Sequence, residues 1–397
     1  MPPRGSSQGG LRQYNERVVL QALRLHGPLP AAELARLTQL TAQTISMITR
    51  RLLDDGLLRK GVPLRGRVGQ PSVPLSLAPD GAFALGIKVG RRSLDLFLMD
   101  FAGAVLERWS VGHHFPDPDR LLPEITTRVA DARRRLGNGR RDRLQGIGIA
   151  QPLQLSSWHE LLGADAEVAA KWDRVDLRAE VEARTGVTTH LLKDTAAACL
   201  AELVVGRGQG LRSYLYVFVD TFVGGGLVLD HQLHSGHQGN AGAVGSLPLA
   251  RSVHDGAPPA QLLSVASLVT LEQAWRRAGL ADSAATDGRA MSGAWAAITR
   301  QWLDEAAAGL ALAADSAACL LDLDAVVIDG AFSPDLRDAL VAATQQALNR
   351  HDGRGAMRPS LVSGSLGADA GALGGAWLPL VVNFAPDRAL FLKADRA

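Results

Sequence analysis

An apolar stripe inside a short, basic, N-terminal segment limits what this chain can fold into more than any other feature. Between Thr41 and Asp54, the residues Ile45, Ile48 and Leu52 recur at helical spacing, which predicts a helix with one buried face. The opposite face carries Gln43, Ser46, Met47 and Arg50, with Thr44 and Arg51 flanking it. Gln and Arg match base edges, while Ser, Thr and Arg match phosphates, so this is the residue set of a helix laid in the major groove of DNA. Thr41 is placed to cap that helix, and Pro30 and Glu33 suit the first turn of a preceding one. Residues 15–60 therefore predict a helix-turn-helix; the alternative is a small helical bundle used for dimerisation.

A wing should follow. Leu57, Leu58 and Val62, then Val73, Leu75 and Leu77, predict two short strands around the loop 64–72. Arg65 and Arg67 stand among glycines in that loop, with Lys60 just before it. Arginines there can enter a narrow, A·T-rich minor groove, or make phosphate contacts alone. Charge supports the assignment. Residues 1–80 hold eleven Lys or Arg against five Asp or Glu, whereas the rest of the chain is slightly acidic and the whole carries only +2. A basic head on such a body fits a phosphate-seeking module joined to something that does not bind DNA.

The turn Ala78-Pro79-Asp80-Gly81 marks a boundary, giving a DNA-binding domain at 1–80 and a larger domain at 81–397. A chain of 397 residues that is 47% hydrophobic can support such a body. Cys199 and Cys319 are far apart and form neither a disulfide framework nor a thiolate metal cluster. The N-terminal MPPRGSSQGG lacks the apolar core of a signal peptide, and no apolar run reaches membrane-spanning length. The expectation is a cytoplasmic protein without a membrane partner.

Within the body, 83–89, 94–100 and 104–111 read as successive strands, followed by a helix at 118–136 and a strand at 144–150. The unit recurs at 213–219, 224–230 and 232–234, followed by helices near 264–278 and 289–321 and a strand at 325–329. Two related α/β halves are predicted, and small ligands bind in clefts between such halves.

Six ordered segments together resemble the ROK family, specifically its transcription-factor branch. They are GRVGQPSVPLSLAPDGAFALGIKVG (66–90), GIGIAQP (146–152), KDTAAACLAE (193–202), TFVGGGLVLD (221–230), GNAGAVGSLPL (239–249) and SGSLGADAGALGGAW (363–377). The likeness runs from about Asn15 to Leu380. It implies an α/β protein in which a winged helix-turn-helix precedes a two-lobed, actin-like (ribonuclease-H-like) ATPase-type fold.

Three departures from the family pattern bear on function. The family's kinases hold ATP phosphates with an Asp-x-Gly-Gly-Thr turn after the first strand; here the turn is Lys88-Val89-Gly90-Arg91-Arg92. A cation replaces the carboxylate that would organise Mg²⁺, so no catalytic residue and no cofactor are assigned. The family's zinc loop has lost its His to Ser246 and all its cysteines, and His254 with Asp255 does not complete a four-ligand site, so no metal is assigned. Of the sugar-gripping Asn-Asp pair, Lys193 replaces the Asn and Asp194 survives, while Ala243 and Ser246 replace the Glu and His. Each lost hydrogen bond removes about 0.5–1.5 kcal/mol, which argues against an ordinary hexose bound in the family manner. Lys193 instead suits an acidic sugar derivative, or simply forms a local ion pair with Asp194.

The resemblance thus predicts a repressor of carbohydrate-metabolism genes that binds a palindromic double-stranded DNA operator as a homodimer or tetramer. DNA-binding candidates are Thr41, Gln43, Thr44, Ser46, Arg50, Arg51, Arg65 and Arg67. Ligand-binding candidates are Gln151, Lys193, Asp194, Gly225, His237 and Asn240, with Trp158 a stacking candidate nearby. A sugar kinase and a ligand-independent DNA-binding regulator with a decayed pocket are the alternatives.

Overall fold

A computed structural model describes residues 8–63, 72–153, 155–156, 159, 164–250 and 259–386. The head begins with helix α1 (Gln8–His26), the two-residue strand β1 (Leu29–Pro30), α2 (Ala31–Thr38) and α3 (Ala42–Asp54). Strands β2 (Leu58–Lys60) and β3 (Pro74–Leu77) complete a small antiparallel sheet of order β1-β3-β2. The stripe anticipated on α3 is buried: Ile45 is fully enclosed, and Ile48 and Leu52 lie against Val19 and Leu20 of α1, Leu34 of α2 and Leu75 of the sheet. Val62, expected in the first wing strand, lies outside it and is exposed.

The first lobe contains β4 (Phe83–Val89), β5 (Ser93–Asp100), β6 (Val105–Gly112), α4 (Pro118–Leu136), β7 (Leu144–Gln151), α5 (Ala166–Lys171), α6 (Leu177–Thr185) and β8 (Thr189–Lys193). Helix α7 (Asp194–Val205) leads to the second lobe. That lobe has β9 (Tyr214–Val219), β10 (Val223–Leu229), β11 (Gln232–His234), α8 (Leu263–Ala266), α9 (Leu268–Arg277), α10 (Ala296–Leu321), β12 (Ala325–Gly330), α11 (Pro334–Asn349) and β13 (Ser360–Ser363). The sheet orders, β6-β5-β4-β7-β8 and β11-β10-β9-β12-β13, are the same arrangement used twice. In each, an antiparallel meander is continued by two parallel strands. The recurrence read from the sequence is therefore a duplicated fold.

The last helix, α12 (Ala370–Phe384), returns to the first lobe and packs backbone against backbone. A Cβ on Gly374 would sit 1.7 Å from the Ala197 carbonyl oxygen of α7, and one on Gly148 of β7 would sit 2.0 Å from the Gly375 oxygen. Only glycine permits that approach.

The far end of α12 reaches the head. Trp377 is buried, and the Arg24 guanidinium of α1 lies 4.5 Å from its ring centre and 5.3 Å from that of Phe101, while donating to the Phe101 carbonyl at 3.2 Å. Burial pushes the Arg24 guanidinium down to about 10. Phe101 meets Phe384 edge-on at 4.7 Å, and Arg17 donates to the Ala385 carbonyl at 3.1 Å. Head and first lobe share one apolar cluster, which runs from Val19 and Ile48 through Met99 and Phe101 to Trp377 and Leu380. The turn at Pro79–Gly81 separates the two parts along the chain, but their packing is continuous.

Candidate functional site

On α3, the Thr41 side chain caps the helix by accepting from the Thr44 backbone N–H at 3.1 Å, and the two hydroxyls lie 2.8 Å apart. Gln43, Ser46, Met47 and Arg50 are exposed on the face opposite Ile45 and Ile48. Met47 is 64% exposed, so this face has no cover among the described residues. Arg51, at its edge, lies 3.2 Å from Glu16 of α1 and helps hold the two helices together. Lys60 is exposed at the end of β2. Arg65 and Arg67, together with Trp158, His254 and Asp255, lie outside the described residues.

The second site is a cleft of about 300 Å³ between the lobes. Its rim is set by the strand ends: β4 delivers Lys88, β8 delivers Lys193 to the start of α7 at Asp194, and the β9–β10 turn delivers Asp220 and Thr221. Lys193 Nζ donates to Asn240 Oδ1 at 3.0 Å. Burial lowers the Lys193 amine from its ordinary value, against the pull of Asp194. Asp194 is pushed upward, chiefly by burial, although the Thr195 N–H donates to it at 2.7 Å and Lys193 and Lys88 oppose the shift.

Lys193, Asp194 and Asn240 thus come together on one cleft wall. Gly225, Gln151 and His237 are not among the lining residues. Gly225 is buried in β10, where its carbonyl accepts from the Thr195 hydroxyl at 2.8 Å. Gln151 pairs in register with Lys193, and its Oε1 is buried without a hydrogen-bond partner among the described residues. His237 is exposed on the loop before Asn240.

The turn Lys88–Arg92 binds across the cleft. Lys88 Nζ lies 3.3 Å from Asp220 Oδ2, and Arg91 donates to the Thr221 hydroxyl at 2.9 Å and to Glu272 of α9 at 3.0 Å. Arg92 reaches the same Glu272 oxygen at 2.7 Å and Asp282 at 3.3 Å. Burial disfavours charge on both members of the Lys88–Asp220 pair. The field of Asp220, Asp95 and Asp194 nonetheless holds Lys88 above its ordinary value, while Lys88, the Thr221 N–H and Arg91 hold Asp220 below its own. Burial pushes Glu272 upward despite its arginine neighbours. These residues do not fit a magnesium-nucleotide: the turn offers no carboxylate, and its cations are engaged by the other lobe. Asp220 and Glu272 did not stand out in the sequence, since they become partners of the turn only through the fold. Among the described residues, no group of three His, Cys, Asp or Glu could hold a metal, and no helix is long and apolar enough to cross a membrane.

Comparison with known proteins adds relatives. Residues 84–381 match the ROK family and residues 13–67 the MarR family. The chain is 27% identical over 371 residues to the uncharacterized protein y4fQ of Sinorhizobium fredii, covering 93% of this chain and 91% of that one. It is 23% identical over 271 residues to the DNA-binding transcriptional dual regulator NagC of Escherichia coli. That match spans 64% of each protein, just under two thirds of NagC. A crystal structure of a ROK family transcriptional regulator, described as a homolog of the E. coli MLC protein, superposes with a TM-score of 0.68. It has 21% identity, with 94% of this chain and 97% of that one covered.

Proposed function

The chain belongs to the ROK family, and we propose that it is a DNA-binding transcriptional repressor whose interlobe cleft takes a small releasing ligand. One observation carries the reading: α3 is capped, its apolar stripe is sealed into the head, and Gln43, Ser46 and Arg50 are presented outward together. The MarR-type match over residues 13–67 and the regulator NagC among the relatives support it. In this reading Thr41 and Thr44 contact phosphate, Gln43 and Arg50 meet base edges, and Arg65 and Arg67 reach from the wing. A symmetric homodimer or tetramer would place two heads on a palindromic operator, with half-sites one helical turn or a multiple apart. Relatives named N-acetylglucosamine repressor and xylose repressor support carbohydrate-metabolism genes as the ones controlled.

The cleft and the head are joined by α12. Gly371 in its first turn faces the side chain of Lys88, a cleft residue, and further along Trp377 meets Arg24 and Phe384 meets Phe101. A ligand that alters the lobe angle would move this rigid helix and so the head. By linkage, a ligand that weakens operator binding must itself bind less tightly to the DNA-bound form. We read the protein as a regulator rather than a kinase because the Lys88–Asp220 and Arg91–Glu272 pairs occupy the phosphate turn.

The test is selection of genomic fragments by the full-length protein, followed by gel-shift titration. The reading expects sequence-specific retardation that Arg50→Ala weakens without lowering the melting temperature. Equal affinity for selected and random DNA would count against it.

A further inference from the structure

We propose that the interlobe cleft takes a small monocarboxylate with a largely apolar body, its carboxylate held by Lys193. This rests on the reading of the cleft as the ligand site and names the ligand class.

Charge is the first argument. The cleft lining holds three cations, Lys88, Arg91 and Lys193, against two carboxylates, Asp194 and Asp220. Lys88 is matched by Asp220, and Arg91 by Glu272 just beyond the lining. Among the described residues Lys193 forms no ion pair, and its hydrogen bond goes to the neutral Asn240 amide oxygen. The remaining carboxyl, Asp194, takes the Thr195 N–H at 2.7 Å and forms no ion pair with Lys193 among the described residues. Lys193 is therefore the lining cation with no carboxylate partner among the described residues, in a partly desolvated setting where a charge-assisted hydrogen bond is strong.

The walls are the second argument. Phe115, Leu153, Leu155, Phe222 and Leu263 line the cleft, and Ala243 adds only a methyl group. A polyol needs a partner for each buried hydroxyl, and an unmade bond costs more than a made one returns. Most polar groups here are already used within the protein: the Thr195 hydroxyl by the Gly225 carbonyl, the Thr221 hydroxyl by Arg91, and Asp220 by Lys88 and the Thr221 N–H. Asn240, Ser246 and the outer oxygen of Asp194 cannot satisfy a ring of hydroxyls. A flat or branched hydrocarbon body meets the apolar walls without that demand, and about 300 Å³ suits a small one.

The experiment is calorimetric titration and thermal shift of the full chain with benzoate, 3-phenylpropionate and isovalerate, alongside benzamide, gluconate and glucose. The expected result is binding of the apolar carboxylates and none of benzamide. Lys193→Met should weaken that binding by roughly ten- to hundredfold, and Lys193→Arg should retain most of it. Tighter binding of glucose or gluconate, equal binding by Lys193→Met, or no binding of any apolar carboxylate would overturn the proposal. Gel shifts on selected DNA separate the two readings. Retained operator binding without carboxylate binding removes only the ligand class, and carboxylate binding without specific DNA binding removes only the repressor.

Discussion

Lys88 of β4 and Asp220 of the β9–β10 turn meet across the cleft at 3.3 Å, joining the two lobes. The Lys88 side chain is 11% exposed and that of Asp220 33%. With the Arg91 and Arg92 contacts to Glu272, the pair makes the turn Lys88–Arg92 a bridge between lobes.

Removing one partner should cost more than removing both. A lone charge left in a buried pair is destabilising by about 3–5 kcal/mol, and the partial exposure of Asp220 reduces that to roughly 1–3 kcal/mol. Lys88→Met is expected to lower the urea midpoint accordingly, whereas Lys88→Met with Asp220→Leu should recover most of the loss. A double variant as unstable as the sum of the singles would show that the two side chains act independently.

The bridge should be indifferent to pH over the middle of the scale. Asp220 is held below 3.8, so its contribution is present above that value and is lost as pH falls through the lowered one. Lys88 is held above 10.5, so its contribution is present below that value and is lost as pH rises through the raised one. The stability difference between wild type and the double variant should stay constant from about pH 5 to pH 9 and change only in acid below the ordinary carboxylate range or in strong alkali. A difference that varies across that plateau would assign the titration to other groups.

Arg24 and Trp377 give a test of how the head is attached. Arg24→Leu removes a hydrogen bond and two ring contacts and should cost about 1–3 kcal/mol. If α12 carries the coupling, the variant should bind operator with near wild-type affinity but respond less to ligand. A full ligand response in Arg24→Leu, measured by fluorescence anisotropy, would place the coupling elsewhere.

Much of this architecture is visible in the residues. Phe83–Val89 and Pro118–Leu136 form elements with the predicted bounds, because a continuous apolar run and a clear 3.6-residue period leave little choice. β8 was hidden: Thr189–Lys193 has only Leu191 and Leu192 as apolar residues and runs directly into α7. β13, Ser360–Ser363, is equally short of apolar residues. The candidate site divides in the same way. Lys193, Asp194 and Asn240 were legible because they sit in motif segments, and the cleft gathers them. The partners of Lys88 and Arg91 were not legible, since Asp220 and Glu272 lie 132 and 181 residues away and no local pattern links them to the turn. For Gln151, Gly225 and His237, sequence position placed them near the cleft but could not say which way each would face.

The most direct measurement for the central claim is footprinting of the full-length protein on its selected genomic DNA, with wild type compared against Gln43→Ala and Arg50→Ala. The expected result is a protected palindrome with half-sites about one helical turn, or a multiple, apart. Each substitution should weaken protection by about 1–3 kcal/mol, with relaxed specificity at the contacted base pair and an unchanged melting temperature. A footprint without symmetry, or one that both variants reproduce at wild-type concentrations, would contradict the assignment of α3 as the helix that reads DNA.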